Sequence, residues 1–196
     1  ERHSHNRPLR SGKGSAYEGG IRVPLMVRWS GVAAAGSVTR EPVVTQDLFR
    51  TLLAAAGAGS LDSGATGLDL RPLLGGQASE ASRAIVWHQP HYWGVAGPGI
   101  EPYSAIRIGR WKLIYFHSRL VQAEGTAVRR PLPRFELYDL DRDIRESHDL
   151  SEARPDVVAR LAESLSIQLE AADAGMSINL ETGEPVPLPR DVAAAD

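Results

Sequence analysis

Residues 104–116 alternate apolar and polar side chains on both sides of Gly109-Arg110, and no other stretch narrows the possible folds so sharply. Ile106 and Ile108 lead into the pair, and Trp111, Leu113 and Tyr115 lead out of it. A two-residue connection with glycine first predicts a type II′ turn, whose twist suits antiparallel strands. The chain must therefore build an antiparallel sheet around this hairpin. Ala84-Ile85-Val86-Trp87-His88 reads as a strand before it and Phe135-Glu136-Leu137-Tyr138 as a strand after it, closed by a charged turn over 139–146. A basic, proline-containing loop is expected over 120–134. Pro155 suits a first helical turn, and Val157, Val158, Leu161, Leu165 and Leu169 recur at spacings of three or four up to Gly175. This helix should lie across a sheet of three or four strands.

The first half is less regular. Residues 1–20 are polar and glycine-rich, and the apolar run 21–29, interrupted by Pro24, reads as an edge strand. Thr45 is placed to cap a helix carrying Leu48, Phe49, Leu52, Leu53 and Ala56 on one face, with Asp47 in its first turn and Gly57 at its exit. Residues 57–67 are glycine-rich, Leu68–Leu74 is a short apolar piece, and the linker 75–82 marks a subdomain boundary. The last twenty residues contain prolines and little periodicity, which predicts an extended tail. The polar opening Glu1 to Arg7, followed by Pro8, has the composition of a loop, so the chain is expected to be a fragment of a longer polypeptide.

Composition excludes several classes of function. Among 196 residues, 22 basic and 24 acidic side chains leave a formal charge of -2, which gives no general attraction to nucleic acid or to an anionic membrane. No apolar run approaches the roughly 20 residues that cross a bilayer. With no cysteine there is neither a disulfide nor a thiolate ligand or nucleophile. The basic residues include only two lysines, Lys13 and Lys112, and this rarity suggests that either has a specific task.

Individual motifs are weak by themselves. Gly12-Lys13-Gly14-Ser15 fails as a phosphate loop because Arg7 and Gly14 stand where glycine and Ser or Thr are required. What remains is an ammonium between glycines, able to approach a small anion but, taken alone, an ordinary solvated lysine. His3 with His5, and His88 with His91, lack an obvious carboxylate third ligand, so polar loop histidines are the default over zinc. Trp87, His88, His91, Tyr92 and Trp93 could form a ligand wall of flat rings with polar edges, or equally a small satellite core. Asp139, Asp141 and Asp143 alternate like the start of a calcium loop, yet the required glycine and glutamate are missing, so a charged turn fits better. No G-x-S-x-G elbow occurs.

Taken together, the run Pro8-Leu9-Arg10-Ser11-Gly12-Lys13-Gly14-Ser15-Ala16-Tyr17-Glu18-Gly19-Gly20-Ile21-Arg22-Val23-Pro24 resembles the lysine-bearing signature of the sulfatases, members of the alkaline-phosphatase-like superfamily. The resemblance continues in order through 45–53, 67–74, 87–93, 106–114 and 136–143, then Glu146 and Leu150. It implies an α/β fold in which residues 1–80 end the large domain, residues 83–175 form a C-terminal subdomain of antiparallel sheet plus packed helix, and residues 176–196 form the tail. It also implies that Lys13 contacts the sulfate oxygens, that Glu18 and Arg22 hold the loop in shape, and that His88, His91, Tyr92 and Trp93 line the substrate side. Calcium and a formylglycine nucleophile, made in a C/S-x-P-S/T-R motif, belong to the resemblance, but neither that motif nor an S-D-N-G-like metal segment occurs in these residues.

The implied activity is hydrolysis of an aryl or carbohydrate sulfate, in partnership with an N-terminal sulfatase domain, in the periplasm or outside the cell; the chain alone should not turn over. Two rivals stay open. One is a non-catalytic binding or assembly module. The other is a phosphate or phosphonate ester hydrolase of the same superfamily, since a lysine does not separate sulfate from phosphate.

Overall fold

The computed structural model describes residues 5–58, 66–77, 83–92, 94, 97–123, 126–130 and 134–194. Two compact units emerge: Glu1–Val23 together with Arg83–Asp196, and Pro24–Ser82.

The first unit is built on a four-stranded antiparallel sheet of β1 (Ala84–Gln89), β2 (Tyr103–Ile108), β3 (Trp111–Phe116) and β6 (Arg134–Asp139), in the order β1-β2-β3-β6. Ile108 pairs with Trp111 across the expected turn. Gly109 has φ 58° and Arg110 is absent from the non-glycine residues of positive φ, the combination a type II′ turn requires. The basic loop expected over 120–134 instead contains a second hairpin, β4 (Arg119–Ala123) with β5 (Thr126–Arg130). Its residues lack the apolar alternation that would mark strands buried on one face.

Both faces of the main sheet are covered. Ile106, Leu113, Tyr115 and Leu137 point to one face and pack against Val157, Leu161, Leu165 and Leu169 of α4 (Pro155–Ala171). Each such buried aliphatic side chain contributes about 1.5–3 kcal/mol. The alternate residues Ala105, Ile114, Phe116 and Tyr138 meet Ala16 and Tyr17 from the N-terminal segment on the other face. Strand β3 is therefore buried on both sides, and its sequence is nearly continuously apolar for that reason.

The tail is not simply extended. Ile178 bridges to Pro185, Val186 joins the core against α4, and α5 (Pro189–Ala193) follows. Pro189 pre-sets the first turn of that short helix, and the Arg190 amide donates to Ser166 Oγ of α4 (3.0 Å).

The run 21–29 is a correction. Ile21 closes the short helix α1 (Glu18–Ile21), and no ladder forms over 22–29, where Val23 and Met26 are 80% and 89% exposed. Apolar composition alone does not make a strand. A ladder partner is needed, and Pro24 removes one donor.

In the second unit, α2 (Thr45–Ala55) forms where expected, followed by α3 (Arg71–Leu74). Thr45 is its first helical residue and not its cap; Asp47 Oδ2 accepts the Val44 amide (2.8 Å) and Oδ1 accepts the Leu68 amide (2.8 Å). Asp47 and Thr51 are buried, whereas Phe49 and Leu52 on the apolar face remain 52% and 66% exposed.

Candidate functional site

The segment 10–22 folds against itself through its glycines. The Ser15 amide donates to Gly12 O (3.1 Å) and Gly14 has φ 89°, so Lys13 stands at the apex of a type II turn with glycine at the position that needs a positive φ. Lys13 is exposed, while Gly12, Ser15, Ala16, Tyr17 and Glu18 around it are buried. Helix α1 lies directly on the bend that leads into this turn: the Gly19 amide donates to Arg10 O (3.0 Å). A Cβ at Gly19 would sit well under 3.0 Å from Arg10 O, and one at Gly20 equally close to Ser15 O. The Gly-Gly pair is what lets helix and turn touch.

What fastens this loop to the sheet is a buried ion cluster. Lys112 on β3, with no exposed surface, donates from Nζ to Glu18 Oε1 (3.1 Å) and Glu146 Oε1 (2.7 Å). Glu146 Oε2 accepts the Glu18 amide (2.6 Å), and Glu18 Oε2 accepts Arg22 Nε (2.7 Å). Two carboxylates and two cations leave the cluster neutral. Burial alone would raise Glu18, but Lys112 and Arg22 outweigh it and hold its pKa below the ordinary value. Glu146 goes the other way: burial and the adjacent Glu18 charge raise it despite Lys112. Glu146 also has φ 53°, a left-handed backbone for a buried non-glycine residue, kept in place by its partners.

A second brace runs beside it. Arg10 Nη1 donates to Tyr138 Oη (2.8 Å) and Glu146 O (2.7 Å), with its guanidinium 3.7 Å from the centre of the Tyr17 ring. Tyr17 and Tyr138 both donate to Glu136 Oε2 (2.7 and 2.6 Å). Burial, then the Glu136 carboxylate, raises both phenols, so both stay protonated donors.

Of the wall residues, His88 is half-buried and uses both ring nitrogens within the fold, Nδ1 with Ser104 Oγ (2.8 Å) and Nε2 with Gly175 O (3.0 Å). Ser104 Oγ also meets His117 Nε2 (2.8 Å), His117 Nδ1 meets Ser177 Oγ (2.7 Å), and Ser177 donates to Pro90 O (2.6 Å). Burial, then the neighbouring His88, pushes His117 down to about 3, so it is neutral near pH 7. Gly175 O and Pro90 O only accept, so His88 Nε2 and Ser177 Oγ donate to them, and a neutral His117 donates from Nδ1 to Ser177 Oγ and accepts at Nε2 from Ser104 Oγ. His91 and Tyr92 are exposed beyond this chain, and Trp93 lies outside the described residues, as does His3.

Among the described residues, no group of three or more His, Asp or Glu is arranged to hold a metal ion. Asp143 Oδ2 accepts the Ser147 and His148 amides (2.7 and 2.9 Å), so it organises the charged turn.

Sequence reasoning named Lys13, Glu18 and Arg22 but gave Lys112, Glu146, Arg10, Tyr17, Glu136 and Tyr138 no joint role. The available signal was the rarity of lysine.

Comparison with known proteins gives a consistent picture. The model of the family described as N-sulphoglucosamine sulphohydrolase, C-terminal, matches residues 12–174. Arylsulfatase A of Homo sapiens is 34% identical over 178 residues, covering 84% of this chain and 34% of that protein. Steryl-sulfatase of Rattus norvegicus is 31% identical over 166 residues, covering 77% of this chain and 28% of its own length. The crystal structure of Ps i-CgsB in complex with k-i-k-neocarrahexaose superposes with a TM-score of 0.65 at 22% identity, covering 98% of this chain and 37% of that one. The chain thus spans about a third of the length of the relatives it matches.

Proposed function

We propose, on the premise that this chain belongs to the sulfatase family as its C-terminal part, that it supplies the fixed cation for sulfate-ester hydrolysis at Lys13. Negative charge grows on the sulfuryl and leaving oxygens as the ester bond breaks, and an ammonium already in place stabilises it without reorganisation. The observation that carries this reading is the mounting of Lys13: an exposed lysine at the apex of a tight turn, on a loop anchored through Glu18 to buried Lys112 and Glu146. A solvated loop lysine needs no such foundation. His91 and Tyr92, exposed beyond the His88 bracing, would face the alcohol part of the substrate.

Calcium and formylglycine are implied by the family. The described residues offer no donor set for calcium, and the sequence has no cysteine and no C/S-x-P-S/T-R run in which a formylglycine would be made. The reading therefore assigns nucleophile and metal to an N-terminal sulfatase domain and expects no turnover from this chain alone. The names of the relatives support an aryl or carbohydrate sulfate as substrate. A periplasmic or secreted location follows from the same family reading, and among the described residues no helix is long and apolar enough to cross a membrane.

The test is Lys13→Ala in a sulfatase containing this chain, assayed on an aryl sulfate. Loss of a preplaced donor should lower kcat by about 10²–10³-fold, equivalent to about 3–4 kcal/mol, with an unchanged melting temperature. Undiminished turnover would refute the assignment.

A further inference from the structure

Beside the Lys13 loop lies a cavity of about 530 Å³ lined by His5, Arg7, Pro8, Leu9, Ser11 and Arg145. No carboxylate lines it, and its polar groups are two guanidinium groups, an imidazole and a hydroxyl. Among the described residues, neither Arg7 nor Arg145 has an ion pair or a side-chain hydrogen bond. Their neighbours differ: Arg10 is engaged by Tyr138 and Glu146, and Arg22 by Glu18.

The fold brings these two cations together and keeps them there. Asn6, next to Arg7, is pinned by its Nδ2 to Gly19 O (2.6 Å) and by its amide to Ser11 O (3.0 Å). Arg145 is held by the neighbouring Glu146, whose carboxylate is locked on Lys112. Two like charges facing one opening repel unless an anion lies between them, and guanidinium forks match the paired oxygens of a sulfate or carboxylate. The depression is open to solvent, with His5, Arg7 and Arg145 exposed, so a small anion reaches it directly. Ser11 belongs to this wall, and Lys13 follows it at the second position along the turn.

We propose that this cavity is a second anion subsite, in which Arg7 and Arg145 hold a sulfate or carboxylate on the same saccharide whose scissile sulfate is presented to Lys13. This deepens the function proposed above and rests on it. A steroid or simple aryl sulfate carries a single oxyanion and would leave both guanidinium groups unused, so the subsite selects polyanionic saccharides.

Titration calorimetry of the 196-residue chain at low ionic strength tests it. The probes are a monosulfated hexosamine, a disulfated hexosamine, and a monosulfated disaccharide bearing a uronate. Either second anion should tighten binding about tenfold over the monosulfated sugar, and the stronger of the two identifies the preferred group. Arg7→Gln and Arg145→Gln should each bring that ratio close to one. Arg145→Lys, which keeps the charge but not the fork, should retain part of it and serves if a glutamine variant fails to fold. Lys13→Ala should weaken all three ligands by one common factor and leave the ratio intact. A wild-type ratio of one, a ratio that survives both glutamine variants, or no measurable binding to the wild-type chain would overturn the subsite. If Lys13→Ala leaves every affinity unchanged while the ratio stands, the Lys13 assignment fails and the subsite does not.

Discussion

Lys112 Nζ lies 2.7 Å from Glu146 Oε1, and neither side chain has any exposed surface. This pair joins β3 to the turn ahead of α4, and through Glu18 it reaches the loop that carries Lys13. Removing the cation while keeping its volume, as in Lys112→Met, would leave buried Glu146 with no cation and Glu18 with Arg22 alone. The expected loss is about 3–5 kcal/mol in a urea unfolding series. Adding Glu18→Gln and Glu146→Gln to the same chain should recover most of it. If the single variant unfolds like the wild type, the pair is not a structural tie.

Glycine tolerance should be sharply local. Gly19→Ala forces a Cβ into Arg10 O, whereas a Cβ at Gly175 meets nothing within 4 Å. Overpacking of this kind costs about 1–3 kcal/mol, and Gly175→Ala should stay within about 0.5 kcal/mol of wild type. Differential scanning calorimetry on the two variants compares them directly.

Acid should weaken the fold through His117. Its pKa is pushed down to about 3 in the folded chain, against 6.5 as the ordinary value. Below pH 6.5 the unfolded chain therefore binds the extra proton, and stability that is fully present above that value is lost as pH falls toward 3. The slope due to this residue approaches about 1.4 kcal/mol per pH unit between pH 6 and 4. His117→Gln should be less stable at pH 7 but should lose that part of the slope, read from denaturation midpoints across the range.

Core and uncovered faces should separate in the same way. Leu161 has no exposed surface, and Leu161→Ala should cost about 2–5 kcal/mol. Phe49 is 52% exposed on α2, and Phe49→Ala should cost far less, with a visible difference in melting temperature between the two variants.

The parts of the fold that could be read from sequence are those that depend on near neighbours. The hairpin at Gly109-Arg110 follows from a local alternation and a local turn, and α4 from Pro155 and its periodic leucines. The ion cluster could not be read in that way. Alternation places Lys112 opposite Leu113, on what would ordinarily be the solvent side of a sheet, and only a segment 94 positions away converts that side into an interior. A still longer separation, 119 positions, hides the pairing of Tyr17 with Glu136. Residues 21–29 failed in the opposite direction, since their apolar composition suggests a strand that finds no ladder among the described residues. Asp47 was read as a first-turn acid, and its additional grip on Leu68 required knowing that Gly67 approaches the helix.

The sheet-bearing unit draws on Glu1–Val23 as well as Arg83–Asp196. A gene trimmed at Arg83 to isolate the sheet and its helix would excise Arg10, Tyr17 and Glu18, and leave Glu136 and Lys112 facing water. Exchanges of this region between related enzymes must therefore carry the lysine loop with it, and a single crossover inside 24–82 would part the two. The lysine loop and the platform beneath it form one piece.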